Sequence, residues 1–279
     1  MQALPRLILK KLHLYYPLLL GYYETRFKLR NFRNRWRYKQ WKGGPLECNV
    51  CRAHYQRFMP DQPLVEDESA IRTNHVVAGY SENCICPNCG STARERLIIA
   101  CLPDLIDLTD KAILHFAPER YVLPLFTKRS RVVAADLQPE LYRNRLRQIQ
   151  YQNLMQLTFP DQSFDLVVAN HILEHIPDDR KAMQEIFRVL KPGGHAVLQV
   201  PYSDTLTTTI EEPTINDRAR QSALFGQYDH VRIYAWKDYL HRLQETGFTP
   251  LVWEGDDLKK YEAYALQPGE RMLLLQKPR

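Results

Sequence analysis

Between residues 93 and 200, short apolar runs alternate with stretches in which apolar side chains recur every three or four positions. Ala112–Phe116, 131–135 and 164–169 are short, apolar and partly β-branched or aromatic, the pattern of buried strands. Over 179–190, Met183, Ile186, Phe187 and Leu190 share one face, which predicts an amphipathic helix. Pro192-Gly193-Gly194 ends that helix, because proline lacks the amide hydrogen and glycine accepts the left-handed turn. A strand follows over 195–200, and 250–253 and Met272–Gln276 supply two more. Strand and helix in this alternation predict an open, doubly wound α/β sheet.

The chain of 279 residues has room for one medium domain and a small one, and 44% apolar residues are enough for a core. Three regions separate by composition: a basic aromatic arm over 1–44, a cysteine-rich module over 45–92, and an α/β domain over 93–279. The net charge of +6 is unevenly spread. The arm carries eleven Lys or Arg against a single acid, Glu24, and the remainder is mildly acidic. An anionic partner would therefore meet the arm first. The apolar run from residue 12 to 23 is interrupted by Pro17 and is too short to span a bilayer. With no cleavage-site pattern after it, a cytoplasmic location is expected, with contact at the inner face of the membrane as a variant. Gly43-Gly44-Pro45 reads as a linker.

In a reducing compartment, six cysteines point to metal before disulfides. Cys48-x-x-Cys51 and Cys86-x-x-Cys89 are two closely spaced pairs, each able to grip an ion from one tight turn. Together they predict a structural Zn2+ with four thiolates and no open position. Gly90 supplies the turn after the second pair, as in a zinc ribbon. Cys84 is an alternative ligand, and Cys101 reads as a buried thiol.

From 157 to 200 the chain reads LTFPDQSFDLVVANHILEHIPDDRKAMQEIFRVLKPGGHAVLQV. This closely resembles the middle of class I S-adenosylmethionine-dependent methyltransferases. The resemblance implies a Rossmann-like α/β fold: a seven-stranded sheet with its last strand antiparallel, here preceded by a zinc-ribbon-like module. Where family members carry a glycine-rich first loop, this chain has His115-Phe116-Ala117-Pro118-Glu119, a variant that resembles a group of bacterial methyltransferases. By that resemblance the S-adenosylmethionine site comprises Phe116, Ala117, Pro118, Glu119, Asp136, Leu137, Asn153, Leu154, Asn170 and His171. Glu119 would face the ammonium group, Asp136 the ribose hydroxyls and Asn153 the adenine amine, with Leu137 and Leu154 on either side of the ring.

Methyl transfer needs a base only when the acceptor arrives protonated. His171, Glu174 and His175 have helical spacing. His230, in Tyr228-Asp229-His230, is the preferred base, with Asp229 or Tyr228 assisting. His175 is the other catalytic candidate. His171-x-x-Glu174-His175 with the distant His230 resembles the Glu-x-x-Glu-His and later His that hold a divalent metal in small-RNA and quinone-pathway O-methyltransferases, with His171 in place of the first glutamate. The metal this resemblance implies competes with a reading in which His175 simply bonds nearby backbone. The leading functional expectation is methyl transfer to an oxygen or nitrogen of a small molecule or saccharide, lipid-linked if the arm meets a membrane. Residues 201–226 would form a lid over it. An RNA methyltransferase using the zinc module and arm ranks below, as does a non-catalytic binding protein on the same fold.

Overall fold

The computed structural model describes residues 15–142, 144–146 and 148–279; the first fourteen residues of the arm lie outside it. In chain order the elements are helix α1 (Tyr15–Arg37), strands β1 (Lys42–Glu47), β2 (His54–Tyr55) and β3 (Met59–Asp61), helix α2 (Val65–Thr73), β4 (Val76–Val77), β5 (Ser81–Ile85) and helix α3 (Ala93–Leu105). Then come β6 (Ala112–Phe116), α4 (Leu123–Thr127), β7 (Arg131–Asp136), β8 (Gln150–Tyr151), β9 (Phe164–Val168), α5 (Asp179–Val189) and β10 (Leu190–Val197). The chain closes with β11 (Tyr202–Ser203), β12 (Ile210–Glu211), α6 (Arg218–Phe225), β13 (Arg232–Ala235), α7 (Trp236–Glu245), β14 (Thr249–Trp253) and β15 (Met272–Gln276).

The main sheet has seven strands in the order β14-β15-β10-β9-β6-β7-β8. From β10 to β8 the neighbours pair in parallel, and β15 runs antiparallel to both β10 and β14. This is the seven-stranded arrangement expected from the sequence. Because β6 and β9 are paired on both sides by other members of the sheet, Ile113, Leu114, Leu166 and Val167 are fully or almost fully buried. The chain builds outward from β6 to β8, then returns to place β9 on the other side of β6. That reversal opens a crevice beyond the carboxyl ends of β6 and β9.

Two boundaries move. The helix ends at Val189, and the strand begins at Leu190, not at residue 195. Pro192-Gly193-Gly194 is an irregularity inside β10, where its register against β9 shifts between Leu190 and His195. Gly193 takes a φ of +75°, and Gly194 packs so near Lys191 O that a Cβ would sit 2.8 Å from it. Gly43-Gly44-Pro45 is likewise not a loose linker. It lies within β1, where a Cβ on Gly44 would come 2.2 Å from the Gln56 backbone, so only glycine permits the pairing with β2.

The stretch between the two cysteine pairs does more than close a finger. Its β4 pairs with β11, and α2 packs against α6, so part of 45–92 is built into the sheet β12-β13-β11-β4 beside the main one. Arg96 of α3 fastens the cysteine-rich part from below. Its fully buried guanidinium donates to the carbonyls of Ser91, Cys84, Tyr264 and Ala265 at 2.7–2.9 Å. Residues 201–226, the lid-like segment of the sequence, carry β11 and β12 of this second sheet and α6, which packs against α2. No helix among the described residues is long and apolar enough to cross a membrane.

Candidate functional site

The two cysteine turns are built alike. The amide of Arg52 donates to Cys48 O at 2.7 Å and that of Gly90 to Cys86 O at 2.9 Å. Cys48 N reaches Ala53 O, and Cys86 N reaches Ser91 O, both at 2.9 Å. Arg52 and Gly90 each adopt positive φ, +60° and +79°. The turns bring all four sulfurs within 4.8 Å of one another, with Cys48–Cys89 at 3.7 Å and Cys51–Cys86 at 3.8 Å. A tetrahedral zinc with metal–sulfur arms of about 2.3 Å has sulfur–sulfur edges of about 3.8 Å. Cys48, Cys51, Cys86 and Cys89 therefore fit a closed structural Zn2+ site. Cys84 stands apart, its thiol donating to Gly79 O at 2.9 Å, and burial raises its pKa. Cys101 is buried in α3.

At the reversal of strand order, Asn170 follows β9 and Glu119 follows β6. Asn170 Nδ2 donates to Glu119 Oε1 at 2.9 Å, while Asn170 Oδ1 accepts from Gln199 N at 3.2 Å. The other Glu119 oxygen meets His115 Nε2 of β6 in a close hydrogen bond. Burial pushes the Glu119 carboxyl up, but His115 and Asn170 outweigh it and hold the group below the usual carboxylate range. Ala117 takes a left-handed φ of +44°, and its amide reaches Ala135 O at 2.9 Å. The loop thus turns as a glycine would, with only a methyl group between backbone and crevice. Pro118 is buried, and its carbonyl accepts from Arg145 at 2.5 Å. Phe116 belongs to the core beneath the loop.

Asp136 ends β7, one register step beyond the Phe116–Ala135 pair. Its oxygens accept from Gln138 N at 2.7 Å and the Tyr142 hydroxyl at 3.1 Å, which leaves lone pairs for a diol. Asn153 turns its oxygen toward Met155 N at 3.0 Å, an Asx turn that leaves one lone pair outward. The two leucines expected to flank adenine are not equivalent. Leu137 is exposed, whereas Leu154 is buried in the core cluster of Phe116 and Ala135, because the turn after β8 points it inward. A half-buried carboxylate, a left-handed small residue and a strand-ending aspartate at the strand ends could hold the amino-acid and ribose portions of S-adenosylmethionine.

Next to this crevice lies a cavity of about 160 Å³. His171, Glu174 and His175 form one wall, His230 and Phe225 another, and Tyr80, between β4 and β5, and Arg94, at the start of α3, close it. His171 has a φ of +53° and stands outside the short turn Leu173–His175, so the shared face expected from helical spacing is produced by a bent chain instead. Its Nδ1 lies 3.6 Å from Glu174 Oε1. His171 thus borders the cavity from the cofactor side.

His230 is brought over this wall by a buried charge network. Arg232 donates to Leu173 O and Glu211, and Arg242 bridges Asp179 and Glu211. Val231 N also reaches Glu174 O at 2.9 Å. As a result the His175 and His230 rings meet edge to face at 4.6 Å. Asp229 pairs with His175 at 3.4 Å and not with His230, and its backbone oxygen lies 3.2 Å from His175 Nδ1. Desolvation lowers the His175 pKa, but Asp229 and Glu174 outweigh it and raise it overall. Burial drives His230 down to about 4, making it a neutral lone-pair donor at neutral pH. Tyr228 is exposed beneath Arg218, away from the cavity. Sequence reading passed over Tyr80 and Arg94, since no motif marks them; the place of Tyr80 depends on the pairing of β4 with β11.

The arm helix α1 is anchored by one face. Asn31 Nδ2 donates to Cys89 O at 2.6 Å, Arg35 to Asn88 O at 2.9 Å, and Glu24 pairs with Arg120, whose guanidinium also covers Phe27. Leu29, Phe32 and Trp36 lie on another face and are 56%, 70% and 80% exposed.

Residues 117–198 match the family described as "Methyltransferase domain". The arsenite methyltransferase of Aquipseudomonas alcaligenes is 31% identical over 99 residues, which are 35% of this chain and 26% of that protein. The demethylmenaquinone methyltransferase of Listeria welshimeri is 50% identical over 42 residues, 15% of this chain and 18% of that protein. The chain thus spans about a quarter or less of the length of these relatives. Among solved structures, a methyltransferase described as SAM-dependent from Methanosarcina mazei aligns with a TM-score of 0.44 at 19% identity, covering 64% of this chain and 97% of that one. Residues 117–198 thus match a methyltransferase domain, and the sheet around them has the strand order of the class I methyltransferase fold, whose cofactor is S-adenosylmethionine.

Proposed function

We propose that the protein transfers a methyl group from S-adenosylmethionine to an oxygen or nitrogen of a small-molecule or saccharide acceptor. The observation that carries this reading is the Glu119–Asn170 hydrogen bond across the reversal of the sheet, beside a partly open cavity lined by Glu174, His175 and His230. S-adenosylmethionine, when bound, supplies the electrophilic methyl. Glu119 holds its ammonium group, Asp136 its ribose hydroxyls, and the Ala117 turn brings the backbone against its methionine portion. Glu174, His175 and His230 present lone pairs to a hydroxyl or amine in the cavity, with Asp229 orienting His175. Alignment of acceptor and methyl supplies much of the rate. Calorimetry with S-adenosylmethionine on the zinc-loaded chain tests the reading. One equivalent should bind, and no heat of binding would favour a non-catalytic scaffold.

The arm extends this reading to a lipid-linked acceptor. Leu29, Phe32 and Trp36 form an exposed stripe beside Arg26, Arg30, Arg33 and Arg37, the composition of a helix lying at an anionic lipid surface. The protein should float with vesicles containing phosphatidylserine and remain behind with phosphatidylcholine alone. Phe32→Ser with Trp36→Ser should weaken flotation at least ~10-fold, given the apolar area these rings would bury. Salt-sensitive RNA gel shifts without flotation would instead support the nucleic-acid reading.

A further inference from the structure

The cavity wall holds an arrangement that hydrogen bonding within the protein does not complete. Glu174 is 1% exposed, and its Oε2 has no hydrogen-bond partner. A ring nitrogen from His175 and one from His230 lie within 4.8 Å of the carboxylate and of each other. His175 Nδ1 faces the Asp229 carbonyl at 3.2 Å, so the donating tautomer places its N–H there and leaves the Nε2 lone pair free. A buried carboxylate oxygen without a donor is costly, and two imidazole lone pairs beside it add no donor.

We propose that Glu174, His175 and His230 bind a divalent transition cation, separate from the four-cysteine zinc, with open coordination positions facing the cavity. The donor set of two imidazoles and a carboxylate suits zinc or manganese, and three protein ligands leave room for water or an oxygen of the acceptor. Neighbouring ligands on such an ion lie about 3 to 3.5 Å apart, so the present separations close by small side-chain rotations. Asp229 against His175 supplies the outer carboxylate that orients a ligating histidine. Arg94 on the opposite wall carries one positive charge, which Glu174 and Asp229 together outweigh. His171 is not a ligand; it touches Glu174 from the cofactor side. The site rests on the methyltransferase reading in one respect, that the cavity receives the acceptor. It then favours a hydroxyl acceptor, whose oxygen binds the cation and gives up its proton more readily.

The full chain, loaded with one zinc and dialysed, is titrated with Mn2+ and followed by electron paramagnetic resonance, with elemental analysis after a parallel Zn2+ titration. One further ion per chain should bind and be removed by mild chelation while the first zinc stays. Glu174→Gln should weaken Mn2+ binding at least ~10-fold, and His230→Gln should abolish it. Both variants should keep one zinc and unchanged circular dichroism. A wild-type chain that takes up no second ion, or variants that bind it as well as wild type, overturns the site. Calorimetry with S-adenosylmethionine on the same samples reads the cofactor separately, so failure here is distinguishable from failure of the methyltransferase reading.

Discussion

Cys86→Ser should lose the four-thiolate zinc and melt about 10 °C lower than the parent chain, with zinc content measured by elemental analysis and melting by calorimetry. The size follows from what the second cysteine turn supports. Cys89 O accepts from Asn31 of the arm and from the Tyr121 hydroxyl, and Asn88 O accepts from Arg35. Tyr121 directly follows the Ala117–Arg120 loop, and its amide reaches Glu95, which caps α3. Loss of the ion should therefore release the arm and loosen the cofactor loop together. Trypsin should cut between residues 26 and 37 sooner, and affinity for S-adenosylmethionine should fall in step. Cys84→Ser is the control: its hydroxyl can still donate to Gly79 O, and zinc should remain. Retained zinc and an unchanged melting point in Cys86→Ser would remove the metal from the account of the module.

The same geometry explains which parts of the fold the sequence announced. β6, β9 and β15 were legible to within one residue because strands buried inside the sheet are largely apolar, and β7 and β14 were legible equally well from their short β-branched or aromatic runs, although β14 is an edge strand. The cysteine turns were legible because spacing alone fixes them. Arg52 was not, since nothing in its side chain signals the left-handed backbone that Gly90 advertises at the matching position. β4, β11 and β12 are two residues each, too short for a period of two to register, and their pairing is a tertiary event. That pairing carries Tyr80 to the cavity, so the cavity wall was the least readable part. His230 was picked out by its motif, but its partner was misjudged. Asp229 is its neighbour in sequence, yet the turn aims that carboxylate at His175.

On the cofactor side, Glu119→Gln should weaken binding of S-adenosylmethionine by about 2 kcal/mol, roughly 30-fold, in a calorimetric titration. Glutamine keeps the volume and can still accept from Asn170, so the crevice should stay formed while the charge facing the ammonium group is lost. Glu119→Ala should cost more and should also lower the melting point, because Asn170 and the buried His115 would each lose a partner. The two variants therefore separate recognition from architecture. In the wild type the carboxyl is held below its ordinary value, so the charge is fully present above that value and is lost only as pH falls through the depressed one. Binding that depends on it should stay level while pH drops through the usual glutamate range, as long as the fold holds. If Glu119→Gln bound the cofactor as tightly as wild type, the ammonium group must sit elsewhere, and the loop of Ala117 would be a turn without a ligand.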